Sequence, residues 1–268
     1  MHDLVAPLVA RRRVSTRMWV LRFRAPAIAA EVRGGQFVNL LLRPGPLLRR
    51  PFSVWQASPD DGWVEVLLEG VGVGTRQLIG LRCGDRVSML GPLGNGYALD
   101  AGGGSVALVS GGLGVAPMAL TARDAAALGL RVQWVHGART ADELCSEWVG
   151  DEVRWATDDG SRGHHGTALD AVPEGAGQIL ACGPNPMLAA IAGRWPAAQV
   201  AVETYMGCGT GVCLGCAVPR TTGVFDRACT EGPVYEASTV RWPELPGRLQ
   251  YEPASPQASP VSHGTGAK

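Results

Sequence analysis

Four cysteines in the C-terminal third of the chain have a spacing that suits iron–sulfur chemistry. Cys208, Cys213 and Cys216 follow the pattern C-x4-C-x2-C, and Cys229 follows after a gap of twelve residues. Four thiolates with this spacing hold the two irons of a plant-type [2Fe–2S] cluster. The glycines between them lack a Cβ, so the loop can take unusual dihedrals and bring backbone N–H groups close to the sulfurs. The spacing therefore predicts a [2Fe–2S] cluster bound by these four cysteines.

Two other uses of four cysteines stay open at this point. A structural zinc site also takes four thiolates, but such sites usually read C-x2-C in both halves, and C-x4-C departs from that pattern. Two disulfides would need an oxidising compartment, for which the sequence carries no other sign. The alternative from a different functional class is thus a non-enzymatic redox sensor or scaffold that binds zinc and no flavin.

Composition limits the classes of protein that need to be considered. The 268 residues are 46% hydrophobic and 18% charged, and the formal net charge is zero. This length allows two or more domains, each with its own hydrophobic core. The charge balance shows no excess of basic residues of the kind that binds nucleic acid. No signal-peptide pattern opens the chain, and the most apolar long stretch, residues 106–120, is too short to span a bilayer and is interrupted by glycines and Pro117. We therefore expect a cytoplasmic protein without nucleic-acid or membrane partners.

The first part of the chain, residues 1–99, reads as a series of short strands between turn signals. The candidate strands are Met18–Arg24, Gln36–Leu42, Phe52–Gln56 and Trp63–Glu69. Turn residues separate them, and no long helical period occurs. Many short strands of this kind predict a small antiparallel β-barrel.

From residue 100 to residue 202 the pattern changes to that of an α/β domain. An apolar strand at Ser105–Ser110 leads into a glycine turn, a helix at Ala116–Leu128 and a second strand at Arg131–His136. Strand, helix and strand in this order indicate a parallel sheet with a right-handed crossover. Further predicted strands are Val153–Thr157, Gln178–Cys182 and Gln199–Glu203, and further predicted helices are Asp142–Trp148 and Pro186–Trp195.

The cysteine-rich residues 203–240 are expected to form a small third domain. Residues 241–268 are rich in proline, serine, glycine and alanine without periodicity, which predicts a disordered tail. Two cysteines outside the cluster set, Cys83 and Cys145, are predicted to be buried structural thiols.

Two segments of the α/β domain are candidates for binding a dinucleotide. Gly111, Gly112 and Gly114 lie where a strand ends and a helix begins, so a pyrophosphate can approach the backbone and the helix N-terminus there. The turn lacks the G-x-G-x-x-G fingerprint, and a plain packing turn is an equal alternative. Cys182, Gly183 and Pro184 follow another strand at the edge of the sheet where ligands usually bind, although a buried structural thiol is the default for Cys182.

Two segments of the barrel are also candidates, each with an ordinary structural alternative. The sequence Arg50-Pro51-Phe52-Ser53 offers a guanidinium for phosphate and a hydroxyl for a heterocycle, but it also fits a surface arginine before an edge proline. Residues 70–75 form a glycine-rich turn that suits an anion nest or a bulged hairpin.

Taken in order, the motifs resemble the ferredoxin–NADP reductase superfamily. More closely, they resemble the electron-transfer subunits of class 1B dihydroorotate dehydrogenases, over about residues 5 to 240. The resemblance rests on RPFS (50–53), GT (74–75), GPLGNGY (91–97), GGLGVAPM (111–118), TDDG (157–160), CGPNPML (182–188), ETYMGCGTGVCLGCAV (203–218) and CTEGPVY (229–235). It implies an FAD-binding barrel, an NAD-binding α/β domain and a C-terminal [2Fe–2S] domain.

The resemblance also implies roles for individual residues. The phosphates of FAD would lie near Arg50 and its flavin ring near Ser53. Gly74 and Thr75 would hold its pyrophosphate. The remaining implied contacts are Pro51, Phe52, Leu67, Leu68 and Glu69 for FAD, and Gly111, Gly112, Gly114, Cys182, Gly183 and Pro184 for NAD. Relatives often carry a basic residue at the position of Glu69, so only main-chain contacts to the flavin are expected there.

In the family, dihydroorotate reduces FMN in a separate catalytic subunit, and electrons then pass through the cluster and FAD to NAD+. The resemblance implies this role in pyrimidine biosynthesis, in a heterotetramer with two copies of each subunit, and no catalytic residue for dihydroorotate in this chain. A reductase subunit for a hydrogenase, a sulfide-linked system or an oxygenase is the alternative, because the superfamily reuses its modules. The residues themselves leave NADP open, since Arg139 is placed to meet a 2′-phosphate.

Overall fold

The computed structural model describes residues 1–45, 47–147, 152–247 and 249, and its first part is a closed six-stranded antiparallel barrel. Two short helices, α1 (Pro26–Ala29) and α2 (Val73–Ile79), accompany it. The predicted barrel is confirmed. Its strands are β1 (His2–Arg13), β2 (Met18–Arg24), β3 (Phe37–Leu41), β4 (Arg50–Ser58), β5 (Trp63–Glu69) and β6 (Arg86–Leu93).

The strand order around the barrel is β1-β2-β5-β4-β3-β6, and it brings the candidate flavin segments together. Val54 of β4 pairs with Val66 of β5 in antiparallel register, so the start of β4 lies beside the end of β5. The chain then enters α2, whose N-cap is Gly72. As a result, residues 50–53, 67–69 and 74–75 occupy one end of the barrel.

Strand β1 and the two short helices, α1 and α2, were not predicted from the sequence. Strand β1 pairs with β6 in its first half and with β2 in its second, with a register shift between Leu8 and Ala10. This change of partner and the proline at position 7 hide the period-two pattern of an ordinary strand. The glycine-rich turn at residues 70–75 forms the start of α2, so the interpretation as a bulged hairpin is wrong.

The second part of the chain is a parallel sheet with helices α3 (Met118–Ala127) and α4 (Asn185–Arg194). Its strand order is β10-β9-β8-β7-β11-β12, extended by one antiparallel strand, β15 (Val234–Glu236). The order reverses between β7 and β11, which makes this crevice the topological switch point of the sheet. The parallel strands are β7 (Ser105–Gly111), β8 (Arg131–Ala138), β9 (Glu152–Thr157), β10 (His164–His165), β11 (Gln178–Cys182) and β12 (Gln199–Ala201).

The helix predicted at Asp142–Trp148 is wrong for the residues that are described. Only a single 3-10 turn, Ala141–Glu143, occurs there, and Trp148 lies outside the described residues. The cysteine Cys145 is buried as predicted. Cys83 is exposed instead, because it lies in the turn that precedes β6.

The cysteine-rich segment contains a hairpin of β13 (Ala217–Pro219) and β14 (Phe225–Arg227), followed by β15 (Val234–Glu236). Strand β15 returns to the main sheet and pairs antiparallel with β12. Beyond it, Trp242–Glu244 form a 3-10 turn, and the Pro246 carbonyl accepts a hydrogen bond from Asn185. Most of the predicted tail, residues 250–268, lies outside the described residues.

A shared apolar core joins the barrel to the parallel sheet. Trp55 of β4 packs against Trp134 of β8 with ring centroids 6.1 Å apart, and both side chains are about 1% exposed. Met18 and Leu67 from the barrel belong to the same buried cluster. Among the described residues, no helix combines the length and apolar character needed to cross a membrane.

A network of charges lies beside this core, around the buried carboxylate of Glu65. Its Oε2 accepts from Arg12 Nη2 at 3.0 Å and its Oε1 accepts from Arg22 Nε at 2.8 Å. Arg12 also donates through Nε to Glu147 Oε1 at 2.6 Å, on the loop between β8 and β9. Hydrogen bonds to these two carboxylates raise the pKa of Arg12 above its ordinary value. The network therefore ties the barrel to the parallel-sheet domain.

Replacing Glu65 with alanine is expected to lower the free energy of unfolding by about 2–3 kcal/mol, because it removes the charged hydrogen bonds that Arg12 and Arg22 share with this buried carboxylate. Urea denaturation followed by circular dichroism measures this change. Glu31→Ala is the control, because Glu31 pairs with His2 at the exposed surface and its loss should leave the midpoint nearly unchanged. Equal losses in both variants would contradict this account of the network.

Candidate functional site

The four cysteines of the predicted cluster are gathered in the cysteine loop (residues 203–232), which joins β12 to β15 and includes the hairpin of β13 and β14. They fall into two pairs. Cys216 and Cys229 are buried, and their Sγ atoms are 3.3 Å apart, well beyond the roughly 2.05 Å of a disulfide bond. Cys208 and Cys213 form the outer pair, in which each backbone N–H donates to the other's Sγ at 3.4 Å. Cys213 is exposed. One pair thus faces the core and the other lies near the surface.

Backbone N–H groups point at the sulfurs from within the same loop. Thr210 N–H donates to Cys208 Sγ at 3.3 Å, and Gly211 N–H donates to Cys229 Sγ at 3.1 Å. Gly215 N–H donates to Cys213 Sγ at 3.5 Å. Such bonds stabilise thiolates and tune the potential of an iron–sulfur cluster. Four thiol donors surrounded by backbone N–H groups fit a two-iron cluster, which Cys208, Cys213, Cys216 and Cys229 would hold.

Two of these cysteines, Cys208 and Cys229, also differ in acidity. Desolvation opposes ionisation of Cys208, but hydrogen bonds from Thr210 and Cys213 outweigh it and lower the pKa of its thiol to about 6. Desolvation and the hydrogen bond with Cys216 raise the pKa of Cys229 to about 12. Since thiols bind metal as thiolates, Cys208 is prepared for metal binding, whereas Cys229 would lose its proton when a metal binds.

The cysteine loop is anchored to the parallel sheet at its base. Val202 N–H donates to the Pro233 carbonyl at 2.9 Å, directly beside the pairing of β12 with β15. The side chain of Asn185, at the start of α4, donates to the Glu203 carbonyl at 2.9 Å and accepts from Glu203 N–H at 3.3 Å. Sequence reasoning missed Asn185, although it lies in the CGPN motif next to Pro184.

The two candidate dinucleotide segments meet at the switch point. Cys182, the last residue of β11, pairs in parallel register with Ser110 of β7. A Cβ on Gly114 would lie 2.2 Å from the Cys182 carbonyl oxygen, and a Cβ on Gly183 would lie 3.3 Å from Gly111 N. Only glycine fits at position 114, because the opposing atom belongs to the backbone. The structure therefore brings Gly111, Gly112, Gly114, Cys182, Gly183 and Pro184 to one edge of the sheet.

The thiol of Cys182 is neutral at this edge. Burial, followed by the negative charge of Glu203, raises its pKa to about 12. It therefore provides a small, polarisable surface beside the crevice and not a nucleophilic thiolate.

The candidate flavin residues lie together at their end of the barrel, with differing exposure. Phe52, Leu67 and Leu68 are buried in the wall, whereas Arg50, Pro51 and Ser53 are half-buried on β4. Arg50 donates to the backbone carbonyls of Leu48 and Arg49. In the first turn of α2, the Thr75 hydroxyl accepts from Gly72 N–H at 2.9 Å, and Gly74 is buried beside it.

Two candidate polar side chains already have partners within the protein. Glu69 accepts a hydrogen bond from Arg17 at 3.1 Å, a contact that sequence reasoning did not identify. Arg139 forms two hydrogen bonds with Glu143, of which the one from Nε to Oε2 measures 3.0 Å. Arg17 also reaches Glu143, at 3.2 Å. These two carboxylates thus hold two arginines beside the carboxyl end of β8.

A buried polar network lies beneath the dinucleotide edge, around His136 of β8. Its Nε2 accepts from Cys145 N–H at 3.3 Å, so Nδ1 carries the proton and donates to Ser110 Oγ at 3.0 Å. Trp134 Nε1 donates to the same hydroxyl at 3.1 Å. The ring is 1% exposed, and its burial lowers the pKa to about 4.

The chain matches two family profiles. Residues 203–241 match the iron–sulfur cluster binding domain of dihydroorotate dehydrogenase B, and residues 5–97 match the oxidoreductase FAD-binding domain. Among solved structures, the NADH-dependent reduced ferredoxin-NADP oxidoreductase aligns with a TM-score of 0.80 and 27% identity, covering 91% of this chain and 92% of that one. Phthalate dioxygenase reductase has the same fold, with a TM-score of 0.60 and 19% identity over 82% of this chain and 87% of that one.

The fold and the site define a ferredoxin reductase-like oxidoreductase with a flavin-binding barrel and a C-terminal iron–sulfur domain. The electron transfer subunit of dihydroorotate dehydrogenase B (NAD(+)) from Geobacillus thermodenitrificans is 36% identical over 87% of this chain and 96% of its own length. The subunit from Desulforamulus reducens is also 36% identical, over 88% and 97%. The chain belongs to this family of electron transfer subunits, which confirms the resemblance drawn from its motifs.

The His136 network predicts a loss of stability in acid. The folded pKa of about 4 lies below the ordinary value of 6.5, so the stabilisation is complete above pH 6.5 and is lost as the pH falls towards 4. Between pH 7 and pH 5 this amounts to about 2 kcal/mol. His136→Asn should remove that part of the pH dependence of the urea midpoint, whereas His164→Asn, at an exposed position, should retain it. An unchanged pH dependence in His136→Asn would refute the assignment.

Proposed function

We propose that this chain passes electrons between a separate FMN-containing catalytic subunit of dihydroorotate dehydrogenase and NAD+, through a bound [2Fe–2S] cluster and FAD. The observation that carries the proposal is the cysteine loop, in which backbone N–H groups point at paired cysteine sulfurs beside the barrel and the switch point. The names of the relatives support the pairing with a dihydroorotate dehydrogenase and the use of NAD+. We propose the cytoplasm as its location.

In this proposal each part of the chain has one task. Residues 1–99 hold FAD, residues 100–202 receive NAD(H), and residues 203–240 hold the cluster through Cys208, Cys213, Cys216 and Cys229. FAD, when bound, exchanges two electrons with NAD and single electrons with the cluster. Chemistry on dihydroorotate belongs to the partner, so the residues of this chain bind and orient the carriers.

The flavin contacts follow from the arrangement at the end of the barrel. Arg50 and Ser53 are half-buried on β4. Arg50 donates through Nη1 to two backbone carbonyls, and its other N–H groups would bind a phosphate, while the Ser53 hydroxyl would bind the ring. The first turn of α2, at Gly74 and Thr75, offers backbone N–H groups to the pyrophosphate. Because Glu69 is paired with Arg17, we assign only main-chain contacts to residues 67–69.

The pairing of Arg139 supports NAD over NADP. A 2′-phosphate needs a free guanidinium near the carboxyl end of the second strand, whereas NAD has only a hydroxyl at that position. Glu143 occupies Arg139 with two hydrogen bonds, and the Arg17 bond places Glu143 between two cations. A second phosphate would therefore have to displace a carboxylate that is already paired.

The proposed contact with the catalytic subunit surrounds the cysteine loop. Val212 and Leu214 flank the exposed ligand Cys213 and are 80% and 64% exposed. Large apolar side chains that project from a cofactor loop are typical of a protein interface. A partner on this surface would cover the outer pair of ligands and bring its own flavin close to the cluster. A heterotetramer with two copies of each subunit is the proposed assembly.

A second candidate function is supported by the match to the NADH-dependent reduced ferredoxin-NADP oxidoreductase, which extends over almost the whole of both chains. In this alternative the same carriers would serve a reductase complex other than dihydroorotate dehydrogenase. The two candidates differ in their partner subunit, so the partner that supports turnover distinguishes them.

The purified chain is expected to show flavin and iron–sulfur absorption bands that bleach on anaerobic addition of NADH. Together with the catalytic subunit, it should reduce NAD+ with dihydroorotate, and neither protein should do so alone. Cys229→Ser should retain FAD and lose this coupled activity, whereas Cys83→Ser, at an exposed thiol outside the cluster set, should keep it. A folded, iron-replete chain without visible bands would contradict the proposal, and turnover only with a different reductase partner would favour the second candidate.

Replacing Val212 with glutamate is expected to weaken association with the catalytic subunit by at least tenfold, because a charge would be buried in the contact. Association is measured by titrating the variant against the catalytic subunit after its iron and FAD contents have been matched to those of the wild type. Leu128→Glu is the control, since Leu128 is 49% exposed at the end of α3, outside the cysteine segment. Unchanged affinity in Val212→Glu would exclude this surface as the contact.

A further inference from the structure

A buried amide in the barrel wall contacts the cysteine loop. Asn39 lies in the middle of β3 and is only 1% exposed. In the barrel it pairs with Pro51 of β4 on one side and with Leu90 of β6 on the other. Pro51 belongs to the proposed flavin segment, so Asn39 lies on the strand next to that segment.

The side chain of Asn39 reaches the first ligand of the proposed cluster. Its Nδ2 donates a hydrogen bond to the Cys208 carbonyl at 3.1 Å, across 169 residues of sequence. The next residue, Gly209, has φ +74°, and a Cβ there would lie 2.0 Å from the same Nδ2. The loop therefore comes directly onto the amide, in a conformation and a space that only glycine accepts.

The barrel itself gains little from this amide. Oδ1 of Asn39 is buried and has no hydrogen-bond partner among the described residues. Its neighbours along β3, Val38 and Leu40, are buried and apolar. A buried acceptor without a partner costs free energy, and an apolar side chain would serve the barrel better. The amide is therefore explained by what it does for the cysteine loop.

We propose that Asn39 is a positioning residue that fixes the Cys208 end of the cysteine loop against the flavin-binding strands. One hydrogen bond then connects the first cluster ligand, through Asn39, to β3 and its neighbour β4. This inference rests on the proposed function. Its consequence is that the separation between the two carriers is set by the barrel wall and not only by the base of the loop at β12 and β15.

Loss of the Asn39 bond is expected to loosen the cluster without affecting flavin binding. Residues that orient metal ligands typically contribute ten- to hundredfold to metal retention or activity. In Asn39→Ala and in Asn39→Asp, which keeps the shape and loses the donor, cluster loss to an iron chelator should be at least tenfold faster. FAD content and the rate of flavin reduction by NADH should stay at wild-type values, whereas the following reduction of the cluster should slow by at least tenfold.

Asn95→Ala is the matched control, because Asn95 also donates from its amide to the cysteine segment, to the Glu231 carbonyl at 3.0 Å, but from an exposed position. Its cluster loss should stay within twofold of the wild type. Gly209→Ala tests the same contact from the loop side and should also lose its cluster faster than the wild type. This variant therefore tests the inference even if the Asn39 variants fail to fold. Rates equal to those of Asn95→Ala in the folded variants would overturn the inference. A wild-type chain that binds neither carrier would overturn the proposed function itself, so the two failures are distinguishable.

Discussion

The closure of the cysteine segment at its base is the constraint on which the arrangement of the candidate sites depends. The chain leaves the sheet after Val202 and returns at Pro233, where one backbone hydrogen bond and the pairing of β12 with β15 join the two ends. Since Ala201 of β12 lies beside Cys182 of β11, the base of the loop is adjacent to the dinucleotide crevice. Asn185 secures the same point from the helix side. From this base the cysteine loop reaches the barrel, where Asn39 contacts the Cys208 carbonyl.

An apolar contact and a network of ion pairs fix the barrel against the α/β domain. Trp55 and Trp134 join the two cores, and Arg12 joins Glu65 of the barrel to Glu147 of the α/β domain. Apolar burial supplies most of the attraction between the two parts, and the directional ion pairs fix their orientation. With both parts fixed, the start of β4, the switch point and the cysteine loop occupy neighbouring positions, as a chain of electron carriers requires.

The features that sequence reasoning predicted are those with a local cause. Cysteine spacing, the glycine turn at Gly111 and the short apolar run of β5 between turn residues depend on short-range geometry, and all of them could be read from the sequence. Features with a distant cause were missed. The partner change of β1 and the antiparallel addition of β15 depend on tertiary pairing. Asn39 looks like an ordinary polar interruption in an apolar strand, because its partner, Cys208, is remote in sequence.

The return of β15 to the sheet also has a consequence for how the chain behaves in a crowded solution. Without it, β12 would be an edge strand with unpaired N–H and C=O groups, which is a template for pairing with other chains. At the opposite edge, β10 is only two residues long, and so offers little to pair with. The pairing of β15 with β12 therefore also protects this edge of the sheet from self-association. We expect a chain that ends before residue 203 to expose β12 and to aggregate.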